Sequence, residues 1–155
     1  MTVPAVVFER VSRRFGKTVA LGGVGFEVAP GSVLGLIGRN GAGKTTALRL
    51  AVGTLWPDAG RIRILGLNPV TRRLEVASRV ALLSEESALY PWMTIAEIVR
   101  FTAALHPRWD KTLAGRLSVD LDLDPAKRIQ ELSRGTRAKV ALVLASFSRS
   151  SDCTR

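Results

Sequence analysis

The residues whose types and spacing best suit chemistry are consecutive: Gly38, Arg39, Asn40, Gly41, Ala42, Gly43, Lys44 and Thr45. Glycines let the backbone fold so that successive N–H groups point inward, and a helix that begins after the last glycine adds the positive end of its dipole. Lys44 supplies a cation, and Thr45 supplies a hydroxyl that can ligate Mg²⁺. The spacing predicts a loop that holds the phosphates of a nucleotide. The alternative is a glycine loop that only turns tightly and leaves Lys44 exposed.

The predicted ligands of this loop are ATP and Mg²⁺. Lys44 would reach the β- and γ-phosphates, Thr45 would ligate Mg²⁺, and Thr46 would contribute to α-phosphate contact. GTP is disfavoured because guanine recognition needs an Asn-Lys-x-Asp element, and the asparagines of the chain are Asn40, inside the loop, and Asn68, which precedes Pro69. The other predicted ATP-binding residues of the loop are Gly38, Asn40, Gly41, Ala42 and Gly43.

The elements expected to position this loop are a strand before it and a helix after it. Residues 32–37 form an apolar run of buried-strand length, and the helix should cover about residues 44–52 and end at Gly53. Residues 3–8 and 25–28 predict an antiparallel opening, with turns at Gly16-Lys17 and at Leu21-Gly22-Gly23. Residues 80–83 predict a second buried strand, and Ile62 and Ile64 alternate with arginines as on a half-exposed strand.

Further along the chain, the capping residues and the spacing of the apolar residues predict helices. A short helix is expected over residues 71–79. Thr94 and Glu97 have the spacing of a capping box, which predicts a helix that runs to about Leu105. Asp110 is expected to cap a helix through Val119, and Ser133 to cap a last helix over residues 134–145.

The bulk composition favours a folded chain that stays in the cytoplasm. No apolar run reaches the roughly 18 residues that span a bilayer, and the N-terminus has no signal-peptide core. The net charge of +10, from 23 basic and 13 acidic residues, could attract nucleic acid. Because the arginines are spread along the whole chain rather than gathered in a stripe, nucleic-acid binding is the less favoured interpretation.

The sequence from Asn40 to Thr46 resembles that of the ATPase subunit of ABC transporters, and the resemblance covers residues 6–145. Its second anchor is the segment Leu132, Ser133, Arg134, Gly135 and Thr136, which stands where that family has Leu-Ser-Gly-Gly-Gln. In the family, this signature contacts the γ-phosphate of ATP held by a second ATPase subunit, so the resemblance implies a head-to-tail dimer. Arg134 and Thr136 depart from the family's glycine and glutamine. On its own, the segment would also suit an ordinary helix N-cap.

The resemblance implies two further site residues. Phe15 stands where the family places an aromatic side chain that stacks on adenine; the alternative is a core residue at a strand end. Glu85 stands where the family has a glutamine that links Mg²⁺ and the attacking water to the transporter, and glutamate keeps the oxygen acceptor but loses the amide donor. Lys44 and Glu85 are therefore the catalytic candidates, and Thr45 and Glu85 the metal candidates.

The implied fold class is α/β: a P-loop NTPase core with an antiparallel β subdomain and a helical subdomain, the C-terminal part of the core being absent. Residues 1–145 are expected to form a partial ABC-type ATP-binding domain, and the serine-rich residues 146–155 the end of a truncated or frame-shifted product. The family's strand ending in Asp-Glu (Walker B and the catalytic glutamate) and its switch histidine follow the signature and have no counterpart here, since His106 precedes it. Binding of ATP is therefore expected to be better preserved than its hydrolysis.

By the same resemblance, the expected partners are a second ABC ATPase subunit and separate transmembrane permease subunits, which would hold the chain at the inner face of the cell membrane. Two alternatives stay open. One is a soluble ABC protein that acts on ribosomes or nucleic acid, for which the basic charge is the only hint. The other is a non-catalytic remnant.

Overall fold

The computed structural model describes residues 3–83, 89–106 and 109–145 and divides the chain into two compact units, with the boundary after Val80. The elements of the first unit are β1 (Val6–Phe15), β2 (Thr18–Val28), α1 (Lys44–Ala51), β3 (Ala59–Ile64) and α2 (Arg73–Ala77). Those of the second are α3 (Ile95–Leu105), α4 (Lys111–Asp120), a 3₁₀ turn (Ile129–Glu131) and α5 (Arg134–Leu144).

The first unit contains an antiparallel sheet with the strand order β2-β1-β3. β1 and β2 form a hairpin whose turn is Gly16-Lys17, so the predicted antiparallel opening is confirmed. The predicted turn at residues 21–23 is wrong, because these residues lie inside β2. Gly23 has φ +71°, but the chain does not reverse direction there, and the Gly23 N–H donates to Ser12 Oγ at 2.9 Å.

Helix α1 packs on this sheet through a shared core. Leu50 of α1 and Val11 of β1 are fully buried, and Ile62 and Ile64 of β3 are nearly so, while the arginines that alternate with them are exposed. The predicted half-exposed strand is thus confirmed as β3. Helix α1 is also as predicted, and it ends where Gly53 adopts φ +71°. The sheet therefore fixes the helix that follows the glycine-rich loop.

The two predicted buried strands are not formed. Residues 32–37 lie outside any strand, with Val33 98% and Ile37 97% exposed, and residues 80–83 are likewise outside any strand. A buried strand must pair its N–H and C=O groups with neighbours. The hydrogen bonds at their first residues are local, from the Ser32 N–H to Ala29 O and from the Val80 N–H to Val76 O. No strand among the described residues pairs with either segment, so their strand propensity is not realised.

The second unit is helical, and its helices begin where the caps predict. Thr94 and Glu97 form the full capping box of α3, and Asp110 Oδ1 accepts the Leu113 N–H at 2.8 Å at the start of α4. Ile98, Ile129 and Val140 lie in the core of this unit.

Helix α2 of the first unit is shorter than predicted. No helix within the described ranges is long and apolar enough to cross a bilayer.

Candidate functional site

The start of α1 is set by a contact that only glycine permits. Gly43 is the N-cap residue with φ +86°, and a Cβ added there would lie 2.3 Å from the carbonyl oxygen of Ala20 and 2.8 Å from Leu21 Cδ2. Because Gly43 has no side chain, the helix can begin directly against β2. The glycine at this position therefore fixes where the first turn of the helix lies.

Lys44 folds back over the loop that precedes it. Its Nζ donates to the carbonyl oxygens of Gly38 at 2.6 Å and Arg39 at 2.9 Å, and the Ala42 N–H donates to Arg39 O at 3.1 Å. The ammonium group thus lies on the loop's own backbone rather than extending into solvent. Lys44 is thus partly buried rather than fully exposed, and the contact of the loop with phosphate stays a prediction.

The first turn of α1 is suited to an anion. The hydrogen bond from Ala47 N–H to Gly43 O, at 2.9 Å, is the first of the helical pattern, and Gly43 offers no side-chain cap. Helix geometry leaves the amides of Lys44, Thr45 and Thr46 without helical acceptors. The first turn also contains no acidic residue. Free amides, the helix dipole and the Lys44 ammonium all favour a phosphate group at this end.

The residues near the loop suit a magnesium ion held mainly by a nucleotide. Thr45 is exposed, so its hydroxyl is accessible. The described part of the chain contains no group of three or more His, Cys, Asp or Glu residues that could hold a metal. Mg²⁺ commonly keeps several waters and takes substrate phosphates as ligands, which agrees with a single protein hydroxyl. Glu85, the other predicted metal and catalytic residue, lies outside the described residues.

Phe15 lies at the exposed end of β1 and is not a core residue. Its side chain is 46% exposed, and the Arg13 guanidinium carbon lies 4.9 Å from the ring centroid. Asp58 holds this arrangement: its Oδ1 accepts from Arg13 Nη1 and its Oδ2 from the Arg14 N–H, both at 2.7 Å. Sequence reasoning missed Arg13 and Asp58. The accessible ring of Phe15 fits the predicted stacking role, which stays a prediction.

In the second unit, Ser133 is the N-cap of α5. Its Oγ accepts the Thr136 N–H at 3.1 Å and lies 2.8 Å from Thr136 Oγ1. Arg134 and Gly135 are exposed in the first turn. The predicted cap is therefore confirmed. The predicted contact of residues 133–136 with a partner's ATP is not tested by this geometry.

Comparison with known proteins connects these features to one family. Residues 21–151 match the family described as ABC transporter. The Nod factor export ATP-binding protein I of Paraburkholderia xenovorans (strain LB400) is 43% identical over 98 residues, which is 63% of this chain and 32% of that protein. The Fe(3+) ions import ATP-binding protein FbpC 2 of Rhodococcus jostii (strain RHA1) is 36% identical over 146 residues, which is 91% of this chain and 42% of that protein.

A solved structure gives the same result at the level of fold. The ATP-binding subunit of an ABC transporter superposes with a TM-score of 0.82 at 25% sequence identity, over 93% of this chain and 62% of the subunit. The chain thus spans less than two thirds of the length of each of these relatives. The α/β P-loop NTPase fold class, with its antiparallel and helical subdomains, is confirmed by this similarity. The chain belongs to the ABC transporter family, and its sequence is that of an ABC ATPase nucleotide-binding domain.

Proposed function

We propose that residues 38–46 bind ATP together with Mg²⁺, and that the chain acts as the ATP-binding subunit of an ABC transporter. The observation that carries the proposal is the position of Lys44, whose Nζ lies on the carbonyls of Gly38 and Arg39 beside the uncapped first turn of α1. A cation and free amides at one helix end attract a polyphosphate. The family to which the chain belongs supports ATP as that polyphosphate.

Each residue of the loop has a separate role in the proposed site. The Lys44 ammonium would exchange its two carbonyl contacts for oxygens of the β- and γ-phosphates, which are stronger acceptors because they carry charge. Thr45 would hold Mg²⁺, which supplies positive charge between the phosphate groups, and Thr46 would lie near the α-phosphate. The flat ring of Phe15 would take the adenine.

Energy coupling would require partners. We propose that Ser133, Arg134, Gly135 and Thr136 contact the γ-phosphate of ATP bound by a second ABC ATPase subunit in a head-to-tail dimer. Permease subunits with transmembrane helices would hold this dimer at the inner face of the cell membrane. One of the two relatives is named for export and the other for import, so the similarity supports the ATP-binding role rather than one substrate or direction.

The experiment that tests the proposal is titration of the purified chain with Mg·ATP by calorimetry. Replacing Lys44 with alanine removes the ammonium that faces the phosphates, and we expect affinity to fall by about 10- to 100-fold, since a hydrogen bond to a charged group contributes roughly 1.5–3 kcal/mol. Thermal unfolding measured in parallel checks that the variant is folded.

The matched control is Lys111→Ala, which removes the same charge from the exposed first residue of α4. Its affinity for Mg·ATP should stay within about twofold of the wild type, because Lys111 is not among the residues proposed to contact ATP and an exposed charge is screened by salt. Equal losses in the two variants, or no binding by the wild-type chain at millimolar ATP, would refute the proposal.

A further inference from the structure

The end of β1 extends beyond the strand that pairs with it on one side. β3 begins opposite Ser12, so residues 13–15 have no partner in β3. The side chain of Asp58 takes the place of that strand: its Oδ2 accepts the Arg14 N–H at 2.7 Å, while the Asp58 N–H donates to Ser12 O at 2.9 Å. One residue thus fixes the end of β1, which carries Phe15.

The same carboxylate holds the Arg13 guanidinium against the Phe15 ring. Asp58 Oδ1 accepts from Arg13 Nη1 at 2.7 Å, and the guanidinium carbon lies 4.9 Å from the ring centroid. The Arg13 Nε is buried and has no hydrogen-bond partner among the described residues, which is unfavourable for a donor. The ion pair and the ring contact therefore hold the guanidinium in this position.

This end of the sheet lies beside the glycine-rich loop. In the hairpin of β1 and β2, Arg13 lies opposite Leu21, and Phe15 lies opposite Thr18. The last glycine of the loop, Gly43, approaches β2 so closely that an added Cβ would lie 2.8 Å from Leu21 Cδ2. Arg13 is therefore paired with the residue against which the loop rests, and the Phe15 ring is two residues further along β1.

We propose that Arg13 is a positioning residue for the adenine of ATP. Its guanidinium, held by Asp58, covers one face of the Phe15 ring and keeps the ring in one orientation, so that adenine stacks on the opposite face. Because the ring is already ordered, less side-chain entropy is lost when the base binds. The inference rests on the proposed binding of ATP at residues 38–46, and it adds a residue that acts through Phe15 without touching the nucleotide.

Calorimetric titration with Mg·ATP and with Mg·tripolyphosphate separates the base from the phosphates, since tripolyphosphate has no base. In Arg13→Ala, the affinity for Mg·ATP should fall about 3- to 10-fold, the scale of one cation–π contact and one freed side chain. The affinity for tripolyphosphate should stay within about twofold of the wild type, because a single lost charge outside the loop is screened by salt.

The matched control is Arg63→Ala. It removes the same charge from an exposed position of β3, where Arg63 pairs with Val7 toward the other end of β1. The affinities for both ligands should stay within about twofold of the wild type.

A double-mutant cycle tests whether Arg13 acts through the ring. Phe15→Ala should lower the affinity for Mg·ATP and leave that for tripolyphosphate unchanged. Adding Arg13→Ala to Phe15→Ala should lower the affinity no further, because no ring is left to position. Thermal unfolding checks that the variants are folded. If Arg13→Ala does not fold, Arg13→Lys replaces it: this variant keeps the charge beside Asp58 but not the planar group, and it should lose at least about twofold in affinity for Mg·ATP alone.

The results distinguish a failure of this inference from a failure of the proposed function. Equal losses for the two ligands in Arg13→Ala, an unchanged affinity for Mg·ATP in Arg13→Ala or Phe15→Ala, or additive losses in the double variant overturn the inference alone. A wild-type chain that binds neither ligand, or binding that Lys44→Ala does not weaken, refutes the proposed function and the inference with it.

Discussion

Gly41 and Gly43 have the same backbone conformation but different surroundings. Their φ angles are +85° and +86°. A Cβ added at Gly41 meets no atom within 4 Å, whereas one added at Gly43 lies 2.3 Å from Ala20 O. Substitutions at the two positions therefore distinguish the cost of a left-handed backbone, which both share, from the cost of the close approach between α1 and β2, which only position 43 has.

We expect Gly43→Ala to destabilise the chain more than Gly41→Ala. Each alanine would have to adopt a left-handed backbone conformation, which destabilises the folded state by roughly 1–2 kcal/mol. At position 43 the contact with Ala20 adds overpacking of about 1–3 kcal/mol. Urea unfolding of the two variants measures the difference in the free energy of unfolding. Equal losses would show that the backbone moves to admit the methyl group at position 43.

The type of each loop residue could be predicted from the sequence, but its contacts could not. Glycines followed by Lys44 and Thr45 indicate a phosphate loop because the required groups are adjacent in the chain. The salt bridge from Arg13 to Asp58 beside Phe15 joins residues 45 positions apart. Nothing local predicts that pair, because it depends on where β3 begins relative to β1.

At the scale of elements, helices were more predictable than strands. The starts of α3, α4 and α5 follow from Thr94, Asp110 and Ser133, whose side chains accept N–H groups three residues further on. Such caps are local and can be read from spacing. The strand expected at residues 32–37 depends instead on partners distant in the chain. Apolar content indicates that a segment can pair, but not that a neighbour is in place.

The capping box of α3 predicts a pH dependence. Glu97 accepts the Thr94 backbone N–H at 2.8 Å, and this hydrogen bond, with a second one to the Thr94 side chain, lowers the pKa of the Glu97 carboxyl below its ordinary value. The ionised form is therefore favoured in the folded state. Its contribution to stability is present above the unfolded pKa of about 4.3 and is lost as pH falls through the lower folded pKa.

Two measurements check this dependence. An NMR titration of the Glu97 carboxyl should have its midpoint below that of glutamate in a short unstructured peptide. Between wild type and Glu97→Ala, the difference in the free energy of unfolding should be constant above about pH 5 and should shrink as the pH falls below 4. A midpoint at or above the peptide value would contradict the capping contact in solution.

At the scale of the whole molecule, the chain divides into two units with separate cores. Val11, Leu50 and Ile62 belong to the first core, and Ile98, Ile129 and Val140 to the second. The sequence indicates which residues are apolar on each helix or strand. It does not show the boundary after Val80, because each core gathers residues from elements far apart in the chain.

The net charge of +10 predicts how the whole molecule behaves toward polyanions. Basic residues spread along the chain, rather than gathered in one stripe, should give weak and sequence-independent binding to single-stranded RNA, which salt removes as counterions compete. Fluorescence anisotropy with a short labelled RNA should show affinity falling by about 100-fold or more between 20 and 200 mM salt if several phosphates are contacted.

Lys44→Ala should bind the RNA as the wild type does, since one lysine among 23 basic residues contributes little to a diffuse electrostatic field. The same variant should lose Mg·ATP affinity, because there a single ammonium lies on the phosphate loop. RNA binding that resists salt and prefers one sequence would contradict this expectation and would favour a role on ribosomes or nucleic acid over a role in transport.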